Sequence, residues 1–208
     1  MRLYYAPGAC SLAPHIVARE AGVSIELVKV DLATKKTESG SDFLKVNAKG
    51  SVPALVLEDG TILTEAAVVI QFIADLAPEA GLLPARASFD RYRALEWLNF
   101  VATELHKGFG PLWRSDTPEA MRVIVKDTLA TKFSYLDRHL ADREVLLGDS
   151  FSAIDAYAFT TLNWAAFMGI DLARWPNVVA YLDRIAARPA VRAAMVAEGL
   201  VKEAAEAA

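Results

Sequence analysis

The chain contains 208 residues, of which 54% are hydrophobic, and it carries a formal net charge of −4 at pH 7. This composition can bury one large core or two smaller ones, and it excludes a mainly disordered chain. There is no basic surplus to neutralise phosphates, so we expect no binding to nucleic acid. No stretch reaches the roughly 18 uncharged apolar residues that span a bilayer.

Cys10 is the only cysteine, which excludes an intramolecular disulfide framework. The three histidines, His15, His106 and His139, lack the spacing of metal-ligand pairs, so we expect no metal site. The N-terminal residues break at Pro7-Gly8 and lack the apolar run of a secretory signal. We therefore expect a cytoplasmic protein whose thiol stays reduced and which does not associate with a membrane.

The first 80 residues alternate strands and helices. Strands are predicted over 2–5, 25–30, 54–57 and 61–63, and helices over 11–21, near 41–46 and from Thr64 or Glu65 to Pro78. Residues 33–39 read as a polar loop. Two strands joined through a helix favour a parallel pair, whereas the tight turn at Glu58-Asp59-Gly60 favours an antiparallel pair. We predict a small mixed sheet of four strands covered by helices.

After about residue 86 the strand signals stop. Helices are predicted over 86–113, 118–140, 152–167, 176–188 and 189–197. Ser152, with Asp155 three residues later, predicts a capping box. Residues 78–86 read as a linker, so we predict an α/β domain over 1–80 and an all-α domain over 86–208. The tail over 203–208 is predicted to fray.

Cys10 is predicted between a turn that ends a strand and the first turn of a helix. Unpaired backbone N–H groups and the helix macrodipole at this position lower the pKa of a thiol below its free value of about 8.5. A thiolate here could attack disulfides or lie beside a bound thiol. The alternative is a buried, inert cysteine.

Three further positions near strand and helix ends could bind a peptide-like ligand. A cis bond between Val52 and Pro53 would expose neighbouring backbone groups, although trans is the commoner form. Glu65 begins a helix, where a carboxylate either compensates the dipole or anchors a ligand ammonium. The backbone N–H of Ala66 could bind a ligand carboxylate.

The predicted helix over 86–113 has two faces. Its core face repeats at three- and four-residue steps and comprises Leu95, Leu98, Ala102, Leu105, Phe109 and Leu112. Its polar face comprises Asn99, Thr103, His106 and Lys107, with Glu104 at its flank. That face is either simply solvated or the wall of a ligand cleft in which His106 and Lys107 meet an anionic or thiol ligand. Trp164 is more typical of a core residue than of a ligand contact.

Taken in order, these segments resemble the cytosolic glutathione transferases, and most closely the bacterial beta class. The strongest match is residues 6–15 (APGACSLAPH), and it is supported by residues 52–55 (VPAL), 63–66 (LTEA), 104–107 (ELHK) and the box at 152–155. The resemblance implies a thioredoxin-like N-terminal domain, an all-helical C-terminal domain, a homodimer and a cis bond before Pro53.

The resemblance also implies roles for individual residues. Cys10 and His106 would lie near the glutathione sulfur as catalytic residues, and Trp164 would border the electrophile pocket. The backbone of Val52, next to Pro53, would pair with the cysteinyl unit. Glutathione contacts are implied for Ala9, Cys10, Lys35, Ser51, Val52, Pro53, Glu65, Ala66, Asn99, Glu104, His106 and Lys107.

Within that set the implied contacts differ. Glu65 and the Ala66 backbone would hold the γ-glutamyl end, and Lys35 would meet the glycyl carboxylate. Asn99 and Glu104 would reach the ligand of the neighbouring subunit.

Two positions depart from the family pattern. Many relatives have serine where this chain has Ala66, and the lost hydroxyl removes one hydrogen bond worth about 0.5–1.5 kcal/mol. Ser51 is shorter than the polar side chains common at its position. We expect these changes to weaken glutathione binding without abolishing it.

The leading hypothesis is an enzyme of detoxification that conjugates reduced glutathione, as a co-substrate, to small apolar electrophiles. A second hypothesis is glutathione-dependent thiol–disulfide exchange, because the thiolate of Cys10 can attack a disulfide of glutathione, release the other thiol and form a mixed disulfide with glutathione that a second glutathione resolves. A third is a non-catalytic binding module, since fold alone does not fix function.

Overall fold

The computed structural model describes residues 1–203, and their contacts divide the chain into two units. The first unit combines Met1–Ala80 with the segment that begins at Ala187, and the second unit is Gly81–Ala186. The sequence assigned the segment after Ala187 to the helical domain, so packing and chain order divide the molecule differently. The domain limits of 1–80 and 86–208 stay a prediction. The predicted frayed tail lies, apart from Glu203, outside the described residues.

The sheet of the first unit has five strands in the order β3-β2-β1-β4-β5. The strands are β1 (Arg2–Tyr5), β2 (Glu26–Asp31), β3 (Lys36–Thr37), β4 (Ala54–Val56) and β5 (Ile62–Thr64). β1 pairs in parallel with β2, with Arg2 opposite Glu26, and the other three pairings are antiparallel. The mixed sheet is confirmed.

The predicted count of four strands is one short. The additional strand, β3, lies inside the stretch over 33–39 that was predicted as a polar loop. Two residues are too few to show the period-2 alternation that marks a strand in sequence. Thr37 of β3 pairs with Val30 of β2, and both residues are buried.

The described residues of the first unit form three α-helices: α1 (Leu12–Glu20), α2 (Ala66–Leu76) and, later in the chain, Pro189–Ala197. α1 contacts both of the others. The helix predicted near 41–46 is a short 3-10 helix over Phe43–Lys45. α2 ends two residues before Pro78, as a proline that cannot continue a helix requires.

The second unit is helical throughout its described elements. Its α-helices are α3 (Phe89–Phe100), α4 (Glu119–His139), α5 (Ala153–Leu162), α6 (Trp164–Phe167) and α7 (Pro176–Ala186), so the helix over Pro189–Ala197 is α8. Two short 3-10 helices lie at Leu140–Asp142 and Leu172–Arg174. The helix predicted over 152–167 is interrupted at Asn163, which caps the end of α5.

The single helix predicted over 86–113 is wrong in detail. α3 is followed by a π-helix over Val101–His106 and then by a 3-10 helix over Lys107–Trp113. The last segment contains two glycines and Pro111, and a proline removes a helical N–H and clashes with the preceding turn. The change to a 3-10 helix follows from this sequence. Leu95, assigned to the core face, is 36% exposed.

The capping box at the start of α5 is confirmed. The carboxylate of Asp155 accepts hydrogen bonds from the N–H of Ser152 at 2.8 Å and from its hydroxyl at 2.7 Å. It also accepts from the N–H of Leu146 and from the hydroxyl of Tyr181. Burial raises the pKa of Asp155, and these hydrogen bonds oppose that rise. Asp155 therefore joins three segments of the second unit.

No helix within residues 1–203 combines the length and the apolar character needed to cross a membrane.

Candidate functional site

Cys10 lies in the turn between β1 and α1. The residue is 8% exposed, and its Sγ lies 3.1 Å from the carbonyl oxygen of Val52, to which the thiol donates. The hydroxyl of Ser11 accepts from the N–H of Ala6 at 3.1 Å and donates to the carbonyl of the same residue at 3.3 Å. The turn is thus closed by its own serine, which fixes the thiol at the start of the helix.

A second set of hydrogen bonds fixes this turn from the other end of the chain. Glu198, at the end of α8, accepts from the N–H of Gly8 at 3.0 Å and lies 2.9 Å from Nδ1 of His15. Nε2 of His15 accepts from Arg19, so Nδ1 carries the proton and donates to the carboxylate. The side chain of Glu198 is fully buried.

Sequence reasoning missed Glu198, although one signal pointed to it. A carboxylate at the C-terminal end of a helix is unfavourable with respect to the helix dipole, and Glu198 is the C-cap of α8. Such a residue is expected to have another partner. The partner itself, His15, is 183 residues away in the chain, and no local pattern connects the two.

Two polar side chains donate hydrogen bonds to the backbone of the segment before β4. The peptide bond between Val52 and Pro53 is cis, as the resemblance implied. The side-chain amide of Asn47 donates to the carbonyl of Ser51 at 2.7 Å. Nζ of Lys35 donates to the carbonyl of Gly50 at 2.8 Å. Lys35 therefore lies against the backbone that leads to Val52.

Glu65 is held in an unusual backbone conformation. It is the N-cap of α2, with φ of 70° and ψ of 118°, which side-chain-bearing residues rarely adopt. Residues in such conformations cluster at functional sites, because the surrounding structure must hold them there. Its carboxylate is 68% exposed and pairs with Nζ of Lys49 at 2.5 Å. Ala66 follows as the buried first residue of α2.

His106 lies in the π-helix of the second unit and contacts two aromatic residues. Its Nδ1 is 2.7 Å from the hydroxyl of Tyr157. Its ring meets the edge of Trp164 at a centroid distance of 5.0 Å. A π-helix is a rare element that often occurs at functional sites, since it changes which side chains face a given direction.

Trp164 is the centre of an aromatic cluster in this unit. Phe109 and Trp113 contact it edge-on, with centroid distances of 5.8 and 5.7 Å. Trp164 itself is 4% exposed, whereas Trp113 is 53% exposed. Trp164 therefore packs in the core, as its residue type indicated, and its neighbour Trp113 extends the cluster to the surface of the unit.

The predicted polar face of the π-helix and its neighbours is at the surface of the second unit. Asn99, Thr103 and Lys107 are exposed. Glu104 forms an ion pair with Lys132 at 2.6 Å. This contact lowers the pKa of Glu104.

The predicted site residues lie in both units. The first unit holds Ala9, Cys10, Lys35, Ser51, Val52, Pro53, Glu65 and Ala66, and the second holds Asn99, Glu104, His106, Lys107 and Trp164. Of the first group, Ala9 is partly buried against the core and Ser51 is exposed. Residues 1–203 contain no cluster of three histidine, cysteine or acidic side chains able to hold a metal ion.

Comparison with known proteins shows which family this chain resembles. The model of the glutathione S-transferase N-terminal domain matches residues 8–76, and the model of the C-terminal domain matches residues 100–189. The chain is also 48% identical to glutathione S-transferase GstA of Escherichia coli O157:H7. That match spans 96% of this chain and all of that protein.

Solved structures indicate the same family. A sphingomonad glutathione S-transferase complexed with glutathione has a TM-score of 0.93 and 48% identity, covering 97% of this chain and all of that one. A bacterial beta class glutathione S-transferase from Sphingomonas chungbukensis has a TM-score of 0.94 and 46% identity, with the same coverage. The chain therefore belongs to the glutathione S-transferase family, and its likeness to the bacterial beta class is confirmed.

Proposed function

We propose that this chain is an enzyme that conjugates reduced glutathione to small apolar electrophiles. The observation that carries the proposal is the thiol of Cys10, held at the start of α1 and 3.1 Å from the carbonyl of Val52. The 48% identical relative is named a glutathione S-transferase. That name favours conjugation over thiol–disulfide exchange and over a non-catalytic module.

The first unit supplies most of the contacts to glutathione. The ammonium of the γ-glutamyl end pairs with Glu65, and its carboxylate meets the N–H of Ala66, where the start of α2 favours an anion. The glycyl carboxylate pairs with Lys35. The backbone of Val52 pairs with the cysteinyl unit, beside Pro53.

The same pairing acts on the thiol of Cys10. When the cysteinyl N–H of the ligand takes the carbonyl of Val52, the Cys10 S–H turns from that carbonyl to the ligand sulfur. The sulfur loses its proton to solvent and is stabilised as a thiolate by this donor and by the N–H groups at the start of α1.

His106 acts on the same sulfur. When the hydroxyl of Tyr157 donates to Nδ1, the imidazole proton is on Nε2, which makes Nε2 a hydrogen-bond donor to a thiolate. The thiolate then forms a bond to carbon, and the leaving group departs with its electron pair.

Aromatic side chains of the second unit bind the electrophile. Trp164 borders the pocket, and its neighbour Trp113, which is 53% exposed, adds flat apolar surface that suits an apolar substrate. Ala9, Ser51 and Lys107 make further contacts to glutathione. The identity of the electrophile is set by this aromatic cluster.

The protein acts as a homodimer in the cytoplasm, in a detoxification role. Asn99 and Glu104 reach the glutathione of the neighbouring subunit. Sedimentation equilibrium tests the dimer directly, because a mass of twice 22.6 kDa is expected.

Binding to immobilised glutathione and turnover by the eluted protein test the proposal. Conjugation is assayed with a chlorinated dinitrobenzene, and thiol–disulfide exchange with a glutathione mixed disulfide. The wild type is compared with Cys10→Ala, and Ser150→Ala, at an exposed position, serves as a control for the change to alanine.

The outcomes separate the competing functions. We expect the wild type to bind the resin and to conjugate, and Cys10→Ala to lose exchange and to conjugate more slowly. Exchange without conjugation in the wild type would make the protein an oxidoreductase. If the wild type neither binds nor turns over, the transferase proposal falls and the binding-module hypothesis replaces it.

A further inference from the structure

Lys49 pairs with the carboxylate to which the proposed function assigns the ligand ammonium. Its Nζ lies 2.5 Å from Oε1 of Glu65 and 2.7 Å from Oγ1 of Thr64. A carboxylate and a hydroxyl, adjacent in the chain at the junction of β5 and α2, thus already form a site for an ammonium group. In this structure the chain fills that site with its own lysine.

The backbone beneath Lys49 is fixed. The N–H of Lys49 donates to Oδ1 of Asn47 at 3.1 Å, and the N–H of Gly50 donates to the carbonyl of Asn47 at 2.8 Å. The side-chain amide of Asn47 donates in turn to the carbonyl of Ser51. These hydrogen bonds therefore fix the backbone position from which the side chain of Lys49 extends.

The side chain of Lys49 is, in contrast, accessible to water. It is 54% exposed, and the carboxylate of its partner Glu65 is 68% exposed. The ammonium can leave its two acceptors by rotation of the flexible lysine stem, with no change in the loop. An exposed ion pair of this kind is weak, so it is readily exchanged.

We propose that Lys49 is a built-in competitor for the ammonium of the γ-glutamyl group. It holds Glu65 and Thr64 in the free protein and is displaced when glutathione binds. Since the proposal concerns regulation of the same subsite, it rests on the proposed function. The exchange replaces one ammonium by another on the same carboxylate, and the displaced ammonium returns to water.

Two consequences follow. Thr64, which the sequence did not mark, becomes a second acceptor for the ligand ammonium through its hydroxyl. Neutralisation of Lys49, for example by acylation of its exposed amine, raises the affinity for glutathione. The effect is modest and falls with ionic strength, because surface ion pairs are screened by salt.

Calorimetric titration of the full chain with reduced glutathione tests the proposal. Lys49→Met is compared with the wild type and with Lys29→Met, which removes the same charge at an exposed position on β2. The second ligand is glutaryl-cysteinylglycine, the same tripeptide without the amino group.

We expect Lys49→Met to bind glutathione about two- to fivefold more tightly than the wild type at low salt, a gain that Lys29→Met does not share. The affinity for the deaminated tripeptide should change equally in the two variants, because that ligand has no ammonium to compete. Adding Thr64→Val to Lys49→Met should weaken glutathione binding about two- to tenfold, since the second acceptor is lost.

Three results would contradict the proposal, and each has a different meaning. If the wild type binds glutathione and Lys49→Met binds it no better, the competitor role is overturned. An equal gain for the deaminated tripeptide would also overturn it, because the lysine would then act on the ligand as a whole. Failure of the wild type to bind glutathione would overturn the proposed function and this inference together.

Discussion

The two units hold their proposed functional groups by different means. In the first unit the backbone does most of the positioning: Glu65 has φ of 70°, Lys35 has φ of 58°, and the bond before Pro53 is cis. In the second unit helices carry the groups, and side-chain packing orients them, as the hydroxyl of Tyr157 and the ring of Trp164 do for His106.

This difference suits the two kinds of substrate. Glutathione is constant and polar, and backbone groups in fixed conformations present donors and acceptors whose positions do not depend on side-chain identity. An apolar electrophile needs surface and shape, which packed aromatic side chains provide. We expect the first site to respond to changes in backbone conformation and charge, and the second to changes in side-chain volume.

The largest expected effect is on the stability of the second unit. Asp155→Ala leaves the buried N–H of Leu146 and the N–H of Ser152 without their acceptor, and it removes the shorter of the two hydrogen bonds that the hydroxyl of Tyr181 donates. We expect a loss of about 3–5 kcal/mol in the free energy of unfolding, measured by urea denaturation. Asp149→Ala, at an exposed position, is the control. A loss no larger than that of the control would show that the carboxylate does not join these segments.

The next effect separates the two roles of Glu65. Glu65→Ala and Glu65→Gly both remove the carboxylate, and we expect each to weaken glutathione binding about 10- to 100-fold in a titration. Only glycine accepts φ of 70° without strain, so Glu65→Gly should be about 1–2 kcal/mol more stable than Glu65→Ala. Equal stability of the two variants would mean that the backbone at this position is not strained.

A smaller effect is expected where the chain departs from its family. Ala66→Ser adds a hydroxyl at the start of α2, next to the proposed position of the γ-glutamyl carboxylate. We expect glutathione to bind about two- to tenfold more tightly, as one added hydrogen bond allows. Ala67→Ser, one residue later in the same helix, is the matched control. Unchanged affinity in Ala66→Ser would place the ligand carboxylate elsewhere.

The smallest effect concerns the ion pair on the polar face of the second unit. The ion pair with Lys132 lowers the pKa of Glu104. The pair therefore stabilises the fold at a pH above 4.5, the ordinary pKa of glutamate, and this stabilisation is lost as the pH falls through the lowered pKa. Glu104→Gln should therefore be less stable than the wild type at about pH 7, and the difference should disappear once the pH is well below the lowered pKa of Glu104. A difference that persists at low pH would point to a packing role instead.

Much of the fold was predictable, because the strands and helices of the first unit carry clear periodicity and turn signals. The strand β3 was not, since two residues show no alternation. The breaks after α3 could not be located, although Gly108, Gly110 and Pro111 signalled that a regular helix would not continue.

The site was predictable where chemistry and local structure coincide, and not where it depends on distant contacts. Cys10 and Glu65 stand at helix starts, which sequence reveals. The bond between Glu198 and His15 and the pairing of Lys49 with Glu65 join residues far apart in the chain, and no periodic pattern encodes them. The cis form of the bond before Pro53 came from family resemblance alone.

The central claim is that Glu65 of the first unit anchors glutathione and that Trp113, at the exposed end of the aromatic cluster in the second unit, contacts the electrophile. Steady-state kinetics with both substrates varied, on the wild type, Glu65→Gln and Trp113→Ala, test it most directly. We expect Glu65→Gln to raise KM for glutathione alone and Trp113→Ala to raise KM for the electrophile alone. If either variant raises both KM values by the same factor, Glu65 and Trp113 do not act on separate substrates and the claim is contradicted.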